Sequence, residues 1–245
     1  MKNRRWSRIL ELCEKQSAVS VQQLVKELQI SEATVRRDLQ NMENQGLLVR
    51  FHGGARMIDA QRLEKTMTMK SLLNVEEKEK ISRCGASLIE DGQIVFLDAG
   101  TTTYNLIDYI EAKNITVVTT GIPHLTRLSQ RNIKTFALSG FVKPSTVAVT
   151  GKETVHQISN MNFDIALLGA NGVHPQAGFT TPEEYEGEVK TMAIHRAKKS
   201  YILADKSKFN KLCFVRFANL NEATVIIDEK IDDFDYRLLD YIVAP

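Results

Sequence analysis

The sequence predicts an α/β protein with a small, mainly helical N-terminal domain and a larger domain built around a mostly parallel sheet. Two observations support this fold class. Apolar residues recur at helical spacing through the first 45 residues, whereas short β-rich runs alternate with helical segments from residue 94 onward. The chain has 245 residues, 43% of them hydrophobic, which is enough for two domains with sizeable cores.

Three helices are predicted in the N-terminal domain, over residues 3–15, 21–28 and 32–45. Ser20 and Gln23 have the spacing of a capping box, in which each side chain satisfies a backbone N–H group of the other residue. Ser31 is suited to cap the third helix, and Gly46 to end it.

The third helix has an apolar side and a polar side. Val35, Leu39 and Met42 follow the i, i+4, i+7 pattern and are expected to face the core. The residues away from that stripe or flanking it are Ser31, Thr34, Arg36, Arg37 and Asn41. Two adjacent arginines on the outer side of a short helix are typical of a nucleic-acid contact. Asp38 is expected to pair with an arginine and to orient it.

A small hairpin is predicted after the third helix. Residues 47–52 form one strand, Gly53 and Gly54 turn the chain, and residues 55–58 return. Three helices followed by a hairpin are typical of a winged helix-turn-helix, in which Arg50, His52 and Gly53 of the wing contact duplex DNA. We therefore expect a DNA-binding domain over residues 1–58 with the helix-turn-helix at about 20–39, a linker over 59–74 and a second domain over 75–245.

The distribution of charge agrees with an anionic partner for the N-terminal domain only. Residues 1–57 contain ten Lys and Arg against six Asp and Glu, a net charge of +4, and the whole chain carries +2, so the remainder carries −2. The start of the chain lacks an apolar signal segment, and no apolar run approaches membrane-spanning length, so a cytoplasmic protein is expected. The widely spaced cysteines (Cys13, Cys84 and Cys213) are expected to be buried reduced thiols.

The second domain is predicted from alternating elements. A first helix spans residues 75–89. The strands are expected at 94–97, 115–119, 134–138, 165–168, 200–204 and 224–227. The helices between them are expected at 103–111, 123–130, 152–160 and 184–197. This alternation indicates βαβ units, and therefore helices on the faces of a mostly parallel sheet.

A Gly-Thr loop follows the first strand of this sheet. Ligands of open parallel sheets bind at the carboxyl ends of the strands, and Gly100 with Thr101, Thr102 and Thr103 offers backbone N–H groups and hydroxyls that suit a phosphate. Asp98 suits sugar hydroxyls better than phosphate. A phosphorylated sugar or polyol satisfies both features, although a turn that only caps a helix is an equally good interpretation of the spacing. Residues 117–121 end the next strand and have the same two interpretations.

Further charged residues lie near a helix start and a strand end. Proton transfer at a sugar-phosphate site could be catalysed by Glu188 and Lys190, or by Asp205 with Lys208. Solvated charged turns explain the spacing of these residues more simply. The histidines lack metal-ligand spacing, and the chain has neither a phosphate-binding Gly-Lys-Ser/Thr loop nor a Gly-x-Ser-x-Gly motif. We therefore expect no metal, no cofactor and no hydrolase activity.

Taken together, these motifs resemble the DeoR family of bacterial transcriptional repressors. The matching stretches are Ser31-x-x-Thr-Val-Arg-Arg-Asp-Leu39, the wing Arg50-Phe-His-Gly-Gly-Ala55, Phe96-Leu-Asp-Ala-Gly-Thr-Thr-Thr103, Gly151, residues 164–172, Val189-Lys190, Leu203-Ala-Asp205 and Lys208-Phe209. The resemblance covers nearly the whole chain. It implies a sensor domain related to ribose-5-phosphate isomerase and the CoA-transferases, with a phosphorylated sugar as the effector.

The resemblance also implies individual effector-site residues. These are Asp98, Gly100, Thr101, Thr102, Thr103, Lys190, Asp205 and Lys208. Two positions depart from the family pattern, because many members have Asn in place of Thr120 and a second glycine in place of Phe141. A phenylalanine there is expected to fill space that a glycine leaves open, which alters the shape of the pocket.

The prediction is therefore a DNA-binding repressor, not an enzyme, that responds to a phosphorylated sugar. One helix-turn-helix reads few base pairs, so a homodimer or homotetramer on repeated half-sites is expected. Two alternatives stay open at this point. One is a sugar-phosphate isomerase with a DNA-binding head, acting through Glu188, Lys190, Asp205 or Lys208. The other is an activator of the same family.

Overall fold

A computed structural model describes residues 2–58 and 65–245 of the chain. These residues belong to two compact units, Met1–Val75 and Glu76–Pro245. Each unit has its own hydrophobic core, and each is described by itself below.

The N-terminal unit contains the predicted helices and wing, plus two elements that were not predicted. In chain order its elements are α1 (Lys2–Gln16), β1 (Ala18–Ser20), α2 (Val21–Leu28), α3 (Glu32–Asn44), β2 (Val49–Phe51), β3 (Gly54–Arg56) and α4 (Met67–Leu72). The strands form an antiparallel sheet in the order β1-β3-β2. The two elements that were not predicted are β1 and α4.

Local signals set the helix boundaries as predicted. Both bonds of the capping box between Ser20 and Gln23 are present at the start of α2. The Ser31 side chain accepts the Thr34 N–H at the start of α3, and Gly46 ends the turn after α3 with φ +65°. The turn between α2 and α3 passes through Gln29, which is in the left-handed region at φ 53°.

The core of the N-terminal unit holds α3 from one side. Val35, Leu39 and Met42 are at most 1% exposed and pack with residues of α1 and α2. The predicted inward stripe of α3 is thereby confirmed, and the opposite side of the helix faces outward.

The interval predicted as a linker differs in the structure. Residues 59–64 lie outside the described residues, but Met67–Leu72 form α4, which begins at the Thr66 cap. Met69 and Leu72 of α4 are buried in the N-terminal core, and the Ser7 hydroxyl donates to the Leu72 carbonyl. This apolar contact with α1 explains the helix, because a single turn and a half is too short to be stable without tertiary packing.

The C-terminal unit begins with helices and strands in alternation. Its first elements are α5 (Val75–Ala86), β4 (Ile94–Leu97), α6 (Thr101–Leu106), β5 (Thr116–Thr119), α7 (Ile122–Gln130), β6 (Lys134–Ala137), β7 (Phe141–Lys143), β8 (Ala148–Thr150) and α8 (Lys152–Ser159). The remaining elements are β9 (Phe163–Gly169), β10 (Gly172–His174), β11 (Gly178–Thr181), α9 (Glu184–His195), β12 (Ala197–Leu203), β13 (Val215–Ala218), β14 (Thr224–Ile227) and β15 (Tyr241–Val243).

Seven of these strands form one parallel sheet in the order β15-β14-β12-β9-β4-β5-β6. Alternate residues of each strand enter separate cores on the two faces. Val95 and Leu97 pack with α5, α6 and α7, whereas Phe96 packs with α8 and α9. The predicted strands of this sheet are confirmed with ends shifted by no more than three residues, and so is the fold class.

Short antiparallel elements extend the carboxyl side of the sheet and were not predicted. Strands β7 and β8 form a hairpin, which we call the β7–β8 hairpin, and β10, β11 and β13 form a three-stranded sheet. The small sheet packs on α9, where the Thr191 hydroxyl donates to the Phe217 carbonyl at 2.7 Å. A Cβ at Gly187 would approach Val215 to 2.7 Å, so glycine permits this close packing.

Cys13, Cys84 and Cys213 form no disulfide, as expected, but only one of them is buried. Cys13 lies in the N-terminal core, and burial raises the pKa of its thiol to about 11. Cys84 is half-buried in α5, where it packs against the core, and Cys213 is half-buried in the loop before β13.

Candidate functional sites

The outward side of α3 is the candidate DNA interface. Arg36 and Arg37 are exposed, and Thr34 and Asn41 are half-buried on the same helix. The Ser31 and Thr34 hydroxyls lie 2.9 Å apart at the N-terminus of α3, where backbone N–H groups attract anions. The structure thus brings the predicted residues of this helix onto one surface.

The predicted arginines have different surroundings. Arg36 pairs with Glu32 one turn earlier, with an Nη2–Oε1 distance of 2.7 Å. Arg37 forms no salt bridge among the described residues. Arg50 on β2 donates to Gln40 and lies 3.9 Å from Glu43. Of these three arginines, Arg37 is therefore the one without an acidic salt-bridge partner among the described residues.

The role of Asp38 was predicted only in part. It pairs with an arginine, as expected, but the partner is Arg5 of α1, and Asp38 is buried. Burial alone would raise the pKa of the Asp38 carboxyl. The hydrogen bonds from Arg5 and Trp6, together with the charge of Arg37, outweigh burial and lower this pKa below its usual value. The pair therefore attaches the inner side of α3 to α1.

The wing is held close to the helices. His52 and Gly53 are exposed at its tip, and Gly53 has φ +89°. The Gly53 carbonyl accepts the Val21 N–H at 2.8 Å, which connects the wing to the start of α2. A Cβ at Gly54 would overlap the Val19 carbonyl, so this position requires glycine.

The candidate effector site lies at the carboxyl ends of β4, β9 and β12. Asp98 follows β4, and its Oδ2 accepts the Gly169 N–H at 3.0 Å and pairs with the Lys190 ammonium of α9. Lys190 also donates to the Gly169 carbonyl at 3.1 Å. The side chains of Asp98 and Lys190 are only 3% and 2% exposed. A charge pair this buried is stable only with well-formed hydrogen bonds, and such pairs are concentrated at functional sites.

The predicted threonine loop is more structural than expected. Thr101, Thr102 and Thr103 are all buried. The Thr103 hydroxyl donates within the loop, to Asp98 O at 2.6 Å or Gly100 O at 3.0 Å, and is not directed at a ligand. Gly100 is extended at φ −172°, so its backbone does not require glycine. What the loop offers a ligand is its backbone and the hydroxyls of Thr101 and Thr102.

His124 supports this loop and was not identified from the sequence. It is fully buried, and its Nε2 lies 3.1 Å from Thr103 Oγ1. Burial and the nearby charge of Arg127 lower the pKa of His124 to about 3, against the opposing hydrogen bond to Gly100. His124 is therefore neutral near pH 7, and it positions the loop rather than carrying charge.

Asp205 and Lys208 lie in the turn after β12, at the same edge of the sheet. Strand β9 separates β12 from β4, so the two parts of the site are about 10 Å apart by strand spacing. Asp205 is buried, which alone would raise its pKa, but Lys208, the hydrogen bond from Ser207 and the charge of Lys78 outweigh burial and lower it. An ionised carboxylate thus lies beside Lys208.

Two further residues extend the site, and one predicted residue lies outside it. Glu186 of α9 lies 4.0 Å from Lys190 and accepts a 2.9 Å bond from Lys143 of β7. Only the spacing of Glu186 and Lys190 by four residues could have indicated this contact. Glu188 is exposed on α9, because it is two residues, about 200°, from Lys190 around the helix.

The two departures from the family pattern have different consequences. Thr120 lies within the site, where its Oγ1 accepts the Ala99 N–H at 3.2 Å. Phe141 is 75% exposed, so its ring does not fill a pocket as expected but lies beside Gly151 at the edge of the hairpin.

Within residues 2–58 and 65–245, no group of three or more His, Cys, Asp or Glu side chains is arranged to hold a metal ion. In the same part of the chain, no helix is both long and apolar enough to cross a bilayer.

Comparisons with known proteins give a match for each of the two units. Residues 5–61 match the model of the DeoR-like helix-turn-helix domain, and residues 73–230 match that of the DeoR C terminal sensor domain. The chain is 40% identical over 242 residues to a Bacillus subtilis protein named as an uncharacterized HTH-type transcriptional regulator, FruR, covering 97% of this chain and 96% of that protein. It is 34% identical to the lactose phosphotransferase system repressor of Streptococcus mutans, covering 95% and 94%.

Among solved structures, the ribose 5-phosphate isomerase A of Methanocaldococcus jannaschii aligns with 57% of this chain and 56% of its own, at 19% identity and a TM-score of 0.42. The full-length relatives are named as regulators, which confirms the expectation of a regulator rather than an enzyme. From the two domain matches and these relatives, the chain belongs to the DeoR family of helix-turn-helix transcriptional regulators.

Proposed function

We propose that this protein represses genes of sugar metabolism and that a phosphorylated sugar, bound at the carboxyl edge of the parallel sheet, controls its affinity for DNA. The observation that carries the proposal is the buried Asp98–Lys190 pair in a sensor domain joined to an outward-facing recognition helix. The name of the S. mutans relative, lactose phosphotransferase system repressor, supports the sugar-metabolism part.

In the DNA-binding half of the proposal, α3 enters the major groove. Arg37 contacts a guanine edge or a phosphate, and Thr34 contacts a base edge or a thymine methyl group. Ser31 lies near a phosphate at the helix N-terminus. Arg36 contacts the DNA backbone or the minor groove. The wing does the same through Arg50, His52 and Gly53. Dimers or tetramers on repeated half-sites follow from the short reach of one such module.

The DNA-binding half is tested by Arg37→Ala. If Arg37 reads a base, operator binding weakens by about 1–3 kcal/mol, with a smaller loss on random DNA. Arg216→Ala, which removes the same charge from an exposed position on β13, is the control and is expected to leave binding unchanged. Equal affinity of the Arg37→Ala and wild-type proteins for specific and random DNA would refute the assignment of α3.

In the effector half, each part of the ligand has a suitable group. Lys190 and the Gly169 N–H both bind Oδ2 of Asp98, so Oδ1 is the oxygen left to accept from a sugar hydroxyl. The backbone N–H groups of residues 100–102 and the Lys208 ammonium suit the phosphate. Lys190 holds Asp98 in place rather than binding the phosphate, because it donates to Asp98 and to the Gly169 carbonyl.

The effector half is tested by thermal denaturation with a panel of pentose and hexose phosphates. A sugar phosphate at 100 times its dissociation constant adds about 2.7 kcal/mol to the free energy of unfolding. The corresponding free sugar adds much less, because the loop and Lys208 mainly hold phosphate. Equal stabilisation by the phosphorylated and free sugars would contradict the phosphate assignment, and Lys208→Ala is expected to remove the difference between them.

A further inference from the structure

The β7–β8 hairpin lies at the edge of the sheet where the effector site is proposed. The Val149 N–H of β8 donates to the Thr120 carbonyl at 2.7 Å, and the Ile122 N–H donates to the Val147 carbonyl at 3.2 Å. Thr120 directly follows β5, and its side chain contacts the loop after β4. These bonds hold the hairpin beside the carboxyl end of β5.

A charged side chain connects the same hairpin to the other side of the site. Lys143 of β7 donates to Glu186 of α9 at 2.9 Å, and Glu186 in turn lies 4.0 Å from Lys190. Because Lys190 pairs with Asp98, a chain of alternating charges runs from the hairpin to the candidate effector site. The face of the hairpin that carries Lys143 is therefore turned toward that site.

The strand register places Thr150 on this face. Lys143 pairs with Ala148 and Phe141 with Thr150. Residues directly opposite each other, and residues two apart along one strand, share a face, so all four lie on one face, with Phe141 at its exposed edge. Thr150 is only 8% exposed, yet its hydroxyl has no hydrogen-bond partner among the described residues. A buried hydroxyl without a partner destabilises the fold, so its presence needs an explanation other than stability.

We propose that Thr150 determines which sugar is accepted, because its hydroxyl hydrogen-bonds a hydroxyl of the sugar part of the effector. The partner is a sugar hydroxyl and not the phosphate, because the phosphate is assigned to residues 100–102 and Lys208, and the Lys143 ammonium beside Thr150 is paired with Glu186. Lys143 is the positioning residue that keeps the hairpin against α9. This inference rests on the proposed function, and it adds a specificity contact from an element outside the parallel sheet.

The test compares wild-type protein with Thr150→Val, which keeps the shape of the side chain but removes the hydroxyl. Binding of glucose 6-phosphate, fructose 6-phosphate, ribose 5-phosphate and inorganic phosphate is measured by calorimetry on the full chain. Thr150→Val is expected to weaken the best of these sugar phosphates about tenfold, the effect of one lost hydrogen bond, and to leave inorganic phosphate unchanged. The ligand-free variant should melt at or above the temperature of wild type, because the unpaired hydroxyl is gone.

Thr146→Val is the matched control. Thr146 is 7% exposed and its hydroxyl is also unpaired among the described residues, but it lies in the turn at 144–147, outside the paired register. It should raise the melting temperature without changing affinity. A wild-type protein that binds no sugar phosphate would overturn the proposed function, and this inference with it. Wild-type binding that Thr150→Val leaves intact, or that Thr146→Val weakens equally, would overturn the inference alone.

Discussion

Replacing Lys190 by methionine is expected to destabilise the sensor domain more strongly than any surface charge change. Methionine has nearly the same length, so packing is kept, but Asp98 loses its cation while its side chain is only 3% exposed. A buried charge that loses its partner costs about 3–5 kcal/mol. For a domain of this size the melting temperature should fall by about 6–20 °C.

Thermal and urea denaturation, followed by circular dichroism, measure this loss of stability. Two further variants serve as controls. Lys198→Met removes an ion pair with Asp164 whose lysine is 78% exposed, so it should cost less than about 1 kcal/mol. The double variant Asp98→Asn/Lys190→Met should recover most of the loss, because no buried charge is left alone. If Lys190→Met is no less stable than Lys198→Met, the pair is not desolvated and the description of the site is wrong.

Three predictions concern the N-terminal unit. Asp38→Asn should lower the free energy of unfolding at pH 7 by about 1.5–3 kcal/mol, because it weakens a charged hydrogen bond with Arg5. The folded-state pKa of Asp38 lies below its ordinary value of 3.8, so this stabilisation is present above pH 3.8 and is lost as the pH falls through the folded-state pKa. Urea titrations should therefore show a difference between variant and wild type at pH 7 and almost none in acid. Leu39→Ala should cost about 2–5 kcal/mol in the same titration, because Leu39 is 1% exposed, and a cost below 1 kcal/mol would contradict the orientation of α3. Gly54→Ala should cost about 1–3 kcal/mol, because the added methyl group overlaps the Val19 carbonyl, and an unchanged melting temperature would argue against the close contact between β1 and β3.

Elements with strong local signals could be predicted from the sequence. The capping box at Ser20 and the stripe of Val35, Leu39 and Met42 depend on neighbours within one or two turns, so spacing alone identifies them. The buried central strands, such as Ile94–Leu97, are continuous apolar runs between turns.

Elements that depend on distant contacts could not be predicted. Helix α4 has only six residues, too few for a clear period, and its packing on α1 is what stabilises it. Strands β7 and β8 have three residues each, too few for a period. Asp98 and Lys190 are 92 residues apart, so family resemblance could name them, but no spacing predicts that they pair. The inward-turned Thr103 hydroxyl depends on His124, which lies on another helix.

The contact between Asp38 and Arg5 separates the structural side of α3 from its outward side. Its inner side is anchored to α1, so the helix keeps its place whatever its outer side carries. Thr34 and Asn41 lie outside that contact, and Arg37 contributes to it only through its charge. A library randomised at these three positions should consequently yield folded repressors directed to new operators, and the sensor domain would confer its metabolite response on each of them.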